Sequence, residues 1–376
     1  MKQDWKYKKL GDVANIIGGS TPKTDIPEYW DGGILWVTPA ELYGSKYISV
    51  TQRTITQKAV DNTNLYLLPK GTVLLSSRAP IGKVCITTQP MYSNQGFKSI
   101  VCGSSLYNEF IYYYLLGSID YLQSLGTGAT FKEISKKVVE QIIIPIPPYS
   151  EQQKIVSELD LLCDIIEKQK TEIKELEKLS LSIYYDMFGD PVSNEKNWEI
   201  KTIGEIASFY NGKAHEKVVD EKGEFILVNS KFIASKGEVI KRTNHQLFPL
   251  LKDDIVMVMS DVPNGRALAS CYLIEADNTY SLNQRICAFR NYSANSIFLF
   301  YTLNRNSYYL RFDDGNGQTN LRKDEVINCP VIFPPLALQQ QFASKIESID
   351  AMKAKVRLSL KETEQLFNSR MDYYFK

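Results

Sequence analysis

Between Pro147 and Phe188 apolar residues recur at alternating intervals of four and three: Ile155, Leu159, Leu162, Ile166, Ile173, Leu176, Ile183 and Met187, with Gln169 and Ser180 at the two skipped positions. A period of about 3.5 residues, with no Gly or Pro from Ser150 to Phe188, predicts one long helix whose apolar stripe must be covered by another helix. At 1.5 Å per residue it is roughly 60 Å long. The covering helix is in the same chain. A shift of 187 residues carries Pro147-Pro148 onto Pro334-Pro335, Gln152-Gln153 onto Gln339-Gln340, Leu159 onto Ile346 and Phe188 onto Phe375 without a gap. The second copy holds Phe342, Ile346, Ile349, Val356, Leu360 and Phe367 in the same phase. Two unrelated amphipathic helices would not share both phase and flanking Pro-Pro, so an internal repeat and an intramolecular coiled coil are predicted.

The stretches between the helices also repeat. Trp5, Leu10, Val13, Ile16 and Ile17 begin an element that stops at Gly18-Gly19, followed by a loop at Ser20-Thr21-Pro22. Strands are predicted at Leu35–Val37, at Thr72–Leu75 and near Phe97–Val101, and an amphipathic helix over Asn108–Leu122 whose aromatic side faces a core. The run Ile142-Ile143-Ile144 ends at Pro145, Pro147 and Pro148, which hand the chain to the long helix. After Gly189-Asp190-Pro191, Trp198, Ile203, Gly204, Glu205, Ile206 and Ala207 repeat Trp5, Leu10, Gly11, Asp12, Val13 and Ala14. The stretch from Gly71 to Val84 is set against that from Asp254 to Ala267, Asn283-Gln284 then follows for Asn94-Gln95, and Gly317 with Thr319 for Gly128 with Thr130.

The expected fold is therefore α+β. Two similar mixed α/β domains, residues 1–146 and 191–333, alternate with helices at 147–190 and 334–376 that form an intramolecular antiparallel coiled coil, the halves being related by a pseudo-two-fold axis. A parallel pair would need a connection running back along roughly 60 Å, for which residues 189–197 are too few unless the second globular domain covers the distance.

Composition narrows the chemistry. A chain of 376 residues, 44% hydrophobic, can bury large cores, and its formal net charge of +1 hides a basic first domain and an acidic first long helix. Six cysteines, none in a C-x-x-C pair, and two histidines make a zinc site or disulfide framework an unsuitable reading, so no metal is expected. The start MKQDWKYKKL has no apolar signal segment and no apolar run approaches the ~20 residues of a membrane span, so a cytoplasmic protein is expected. Catalytic motifs are missing from the sequence. Gly82-Lys83 is not a P-loop, because Val84 follows it and Ser77 stands where the first glycine is required. Ile146-Pro147-Pro148-Tyr149 has an isoleucine where an amino-methyltransferase needs Asn or Asp, and no G-x-S-x-G occurs. A non-catalytic chain is expected.

The duplicated plan carries a resemblance. The Pro-Pro with Glu151-Gln152-Gln153 opening a heptad helix, its ending in Tyr-Asp-Met-Phe-Gly-Asp at 185–190, and the domain starts Trp-x4-Leu-Gly-Asp-Val-Ala and Trp-x4-Ile-Gly-Glu-Ile-Ala resemble specificity subunits of type I restriction-modification enzymes. It covers nearly the whole chain. The resemblance implies a DNA-binding protein in which each globular domain is a target-recognition domain for one half of a bipartite, asymmetric site. It implies that the helices set the spacer and dock two methyltransferase (modification) subunits, and through them endonuclease/translocase (restriction) subunits. S-adenosylmethionine, ATP and magnesium are then expected in those partners and not in this chain. The second helix departs modestly, opening Leu338-Gln339-Gln340-Gln341 where the first has Glu151-Gln152-Gln153-Lys154. A rod of roughly 60 Å limits half-site centres to about seventeen base pairs apart.

Direct readout requires Arg or Lys for guanine and Asn or Gln for adenine, with basic and hydroxyl groups on phosphates. In the first domain these criteria select Ser76, Ser77, Arg78, Lys83, Asn94, Gln95, Thr130 and Lys132; in the second, Lys231, Asn264, Arg266, Gln284, Arg285, Gln318, Asn320 and Arg322. Three other readings compete: a subunit of a related modification system without a translocating endonuclease, a coiled-coil scaffold whose ends bind proteins, and an enzyme with an unrecognised site.

Overall fold

The computed structural model describes residues 5–78, 80–128, 132–215, 217–262 and 265–376. The chain divides into two compact units, one comprising Met1–Lys170 with Ser359–Lys376 and the other Thr171–Leu358. The division falls inside the two long helices, Tyr149–Phe188 and Leu336–Phe375, not at their ends, because each globular region packs on half of both helices. Each helix starts directly after its Pro-Pro and has 40 residues, about 60 Å at 1.5 Å per residue.

In the first unit the strand order is Ala14–Gly18, Phe97–Cys102, Val73–Ser76, Val84–Thr87 and Tyr47–Ile48. The pairs are antiparallel except the last. Successive strand residues point to opposite faces, and here both faces are covered. Val73, Leu75, Ile86 and Ile100 meet the helix Asn108–Gly117 and residues Ile155, Val156 and Leu159 of the first long helix. Leu74, Cys85 and Phe97 meet Val37, Leu42 and Met91 on the other side. A second, three-stranded sheet joins Thr54–Ile55, Trp30–Val37 and Tyr92–Ser93.

The second unit repeats this. Ser208–Asn211, Ile286–Arg290, Ile255–Val258 and Cys271–Leu273 form a sheet whose Ile255, Met257, Cys287 and Phe289 face the helix Ser296–Leu303. Val256, Val258, Ile286 and Ala288 face Val228, Phe232, Leu250 and Tyr280. In both units the domain's opening strand pairs with the strand before Pro-Pro: Lys6–Lys9 with Ile143–Ile146, and Ile200–Thr202 with Pro330–Ile332.

Three expectations change in detail. The opening stretch is a strand, a helical turn at Leu10–Val13 and a second strand, because Leu10 and Val13 turn into the core together. The helix expected over Asn108–Leu122 breaks at Ser118, giving Asn108–Gly117 and Ile119–Ser124, where the ends of Met371 and Phe375 lie against Gly117. The counterpart of Val73 is Ile255, since Ile100 and Phe289 are their partners; the alignment that sets Gly71 against Asp254 is one residue out of register.

Within each unit the long helices run antiparallel. Glu158 accepts from Arg370 and, at 2.6 Å, from the Tyr374 hydroxyl, while Gln169 donates to Ser359 at 2.9 Å. In the second unit Tyr184 and Phe188 pack on Phe342, and Glu177 lies 3.8 Å from Arg357. Ile155, Leu159, Leu162, Ile166, Phe342, Ile346 and Ile349 are buried, whereas Ile173, Leu176, Val356, Leu360 and Phe367 are half-buried. Burial is deepest where a globular core adds a third surface, because two helices alone cannot enclose the stripe. The recurring Gln explains itself here. Gln152 lies in seam phase, is fully buried, accepts from Tyr107 N–H at 2.8 Å and donates to the carbonyls of Ser105 and Pro147 at 2.9 Å. Gln339 does the same, accepting from Asn295 N–H and donating to Pro334 O, both at 2.8 Å.

Candidate nucleic-acid interface

In each unit the chain's polar segments converge at the end of the central strand. In the first, Ser77 N–H donates to Gly96 O at 2.8 Å and Ser77 O accepts from Ile134 N–H at 2.9 Å. In the second, Met259 N–H donates to Arg285 O at 3.1 Å and Met259 O accepts from Leu321 N–H at 2.8 Å. The next rung of the ladder is Arg78 opposite Glu133 in one unit and Ser260 opposite Asn320 in the other. A fourth segment joins by the same bonds, Ser20 N–H to Ser93 O at 2.9 Å and Lys213 N–H to Leu282 O at 3.0 Å. This approach is so close that a Cβ on Gly19 would lie 1.9 Å from Asn94 O, and one on Gly212 2.0 Å from Asn283 O. Only glycine fits at either place.

The junction sorts the candidates. Ser76 and Ser77 are fully buried: Ser76 Oγ donates to Pro80 O and accepts from Lys83 N–H, both at 2.8 Å, and Ser77 Oγ donates to Gly96 O and accepts from Lys98 Nζ, both at 3.1 Å. Both hydroxyls build the loop, so neither is displayed to DNA as expected. Asn94 turns its Oδ1 onto Gly96 N–H at 2.8 Å, closing the turn, while Gln95 beside it is exposed and accepts from the Thr21 hydroxyl. Lys83 is half-buried with Nζ 3.3 Å from Pro39 O. Arg78 and Lys132 are exposed at the junction. Thr130 and Asn264 lie outside the described residues.

In the second unit Gln284, Arg285, Gln318, Asn320 and Arg322 are all exposed on the converging segments. Gln318 Nε2 donates to Ser260 Oγ at 2.7 Å, and a polar depression of about 420 Å³ is lined by Gln318, Asn320 and Arg322 with Asp314, Asn316 and Glu325. Arg266 is exposed on a loop folded around Asp261, whose carboxylate accepts from the N–H groups of Val262, Ala267 and Leu268. Lys231 is exposed on the helix Ser230–Ala234, capped by Asn229, and Val228 O accepts from Asn283 N–H at 3.1 Å to tie that helix to the junction.

Glu133 and Lys98 also stand at this junction, where donor-and-amide spacing in the sequence does not point to them. Glu133 accepts from Arg78 Nε at 2.9 Å and from Lys98 Nζ at 3.1 Å. Desolvation raises its carboxyl pKa, but the hydrogen bonds and charges of Lys98 and Arg78 outweigh that and hold it below the usual value, so it stays ionised at neutral pH. Cys271 and Cys287 are buried in the second core, where desolvation pushes their thiols up, leaving them inert. Among the described residues no group of three or more His, Cys, Asp and Glu could hold a metal ion. No helix among them is long and apolar enough to cross a membrane.

The type I restriction modification DNA specificity domain family matches residues 2–178 and again 195–362. The chain belongs to that family. It is 36% identical over 272 residues to the type I restriction enzyme MjaIX specificity subunit of Methanocaldococcus jannaschii, a stretch covering 67% of this chain and 63% of that one, less than two thirds of the relative. It is 24% identical to the MjaVIII specificity subunit of the same organism over 97% of this chain and 89% of the other. The EcoR124I/EcoR124II specificity subunit of Escherichia coli is 29% identical over 48% of this chain and 47% of its own. The fold is shared with the S subunit of a type I restriction-modification system from M. genitalium, at a TM-score of 0.58, 16% identity and coverage of 99% and 96%. It is also shared with a chain from work on complex assembly and conformational transition of a type I restriction-modification system, at a TM-score of 0.62, 16% identity and coverage of 100% and 98%. For this specificity family member neither the protein scaffold nor an unrecognised enzyme gains support, nor does a related system without a translocating endonuclease.

Proposed function

We propose that this chain is the non-catalytic, DNA-reading subunit of a type I restriction-modification system, each unit reading one half of a bipartite, asymmetric site. The observation that carries this reading is the duplicated junction. The same main-chain bonds gather the same segments in both units, while the side chains they display differ: Arg78, Gln95 and Lys132 in one; Gln284, Arg285, Gln318, Asn320 and Arg322 in the other. Arg, Lys, Asn and Gln on loops are the groups that read base edges, and two unlike sets read two unlike sequences. The long helices offer docking surfaces for two methyltransferase subunits, through which endonuclease/translocase subunits join. S-adenosylmethionine, ATP and magnesium serve those partners in the cytoplasm.

The test is a genome-wide map of N6-methyladenine in a host expressing the chain with its methyltransferase, compared with the same host lacking only this chain. A bipartite motif that disappears with the chain is the expected result. Identical maps would refute the proposal.

A further inference from the structure

We propose that Arg78 and Glu133 together read one G·C base pair in the first unit's half-site, Arg78 donating to guanine O6 and N7 and Glu133 accepting from the cytosine N4 amino group. This rests on the DNA-reading function above and adds the base pair and a reader, Glu133. In the major groove guanine presents two acceptors and cytosine a donor, so a G·C pair is met by a fork of donors beside an acceptor. The junction holds that combination. Arg78 and Glu133 face each other across one ladder rung and are 47% and 35% exposed. Their mutual bond uses Nε and not the terminal Nη pair, which is the pair that two parallel donations to guanine O6 and N7 require. Lys98, 10% exposed, fixes the second carboxylate oxygen at 3.1 Å, and each carboxylate oxygen keeps lone pairs for a further donor. Reader and acceptor are thus held in place before DNA arrives, which lowers the ordering cost of binding.

The same rung in the second unit is Ser260 opposite Asn320, without charge. The G·C requirement at this rung therefore belongs to the first half-site alone, and the chain itself supplies a compatible replacement for it.

The experiment maps the methylation motif for the wild type, for the Arg78→Ser/Glu133→Asn double variant and for Glu133→Gln, each with its methyltransferase. The first unit's half-site is the one unchanged when residues 198–333 are exchanged. Expected are a fixed G·C pair in that half, at least a tenfold loss of discrimination at that position in the double variant, and an unaltered second half-site. A first half-site with no fixed G·C pair overturns the proposal, even if the double variant fails to accumulate. So does full discrimination retained by both variants, which would make the ion pair a loop fastening only. A motif that does not depend on the chain at all would instead remove the DNA-reading function on which the proposal stands.

Discussion

Replacing Gln152 by leucine keeps an apolar-compatible shape in the seam but strips three hydrogen bonds from a fully buried site. The Tyr107 N–H loses its acceptor at 2.8 Å, and the carbonyls of Ser105 and Pro147 lose donors at 2.9 Å. A buried donor left unpaired costs about 1–3 kcal/mol, and the carbonyls, with second lone pairs, less each. The sum is about 3 kcal/mol, partly offset by the leucine's burial. With an m value of about 3 kcal/mol/M in urea, the midpoint of the first unit's unfolding falls by about 1 M. Gln153, the next residue and exposed, is the matched control, since surface substitutions stay within about 0.5 kcal/mol. Tryptophan fluorescence follows the transition, Trp30 and Trp36 being in the first unit's interior. Equal midpoints for Gln152→Leu and Gln153→Leu would refute the idea that Gln152 fastens the helix start to the domain.

Gln169→Leu works in the opposite direction: its Oε1 is buried with no hydrogen-bond partner among the described residues, so the variant gains about 1 kcal/mol, seen as a higher urea midpoint. Gly212→Ala drives a methyl to 2.0 Å from Asn283 O; a loss of at least about 2 kcal/mol and of the second half-site in the methylation map is expected, with the first half intact. Glu158 is held below its ordinary 4.5, first by the Arg370 guanidinium and then, against desolvation, by Tyr374. A depressed folded pKa stabilises above the unfolded value and loses that stabilisation as pH falls through the folded one, so Arg370→Ala is less stable than wild type at neutral pH. The gap is below about 1 kcal/mol because both groups are half-exposed, and it closes on acid titration below about pH 4.

The periodic and repeated features were legible in the sequence because they are local and occur twice. Gln152 lies three positions before Ile155, in seam phase, so its burial could be read from spacing; its partners could not, because Tyr107 and Ser105 arrive from a distant turn. The burial of Ser76 and Ser77 is not legible, because a hydroxyl run after an apolar strand looks like a displayed loop. What encloses them is the turn through Pro80 and Lys83 over Ser76 and the distant Gly96 and Lys98 over Ser77, and the latter pair arrives from another strand. Glu133 was invisible for a different reason: a rule that seeks donors for phosphate and guanine passes over the acceptor that a cytosine requires.

The two junctions also show how the proposed DNA reader would hold two specificities without two folds. The bonds that position the segments run between main-chain groups, Ser77 with Gly96 and Ile134, Met259 with Arg285 and Leu321, and main-chain groups are present whatever the side chain. Sequence is constrained where a backbone comes too near for a Cβ, as at Gly19 and Gly212, and where a side chain closes a turn, as at Asn94 and Asp261. Everything projecting outward from the rungs can change without disturbing the ladder, which is why Arg78 and Glu133 in one unit correspond to Ser260 and Asn320 in the other. With a net charge of only +1, the chain as a whole has little attraction for phosphate, so under the proposed function its DNA affinity rests on such local groups and on the subunits proposed to close around the DNA.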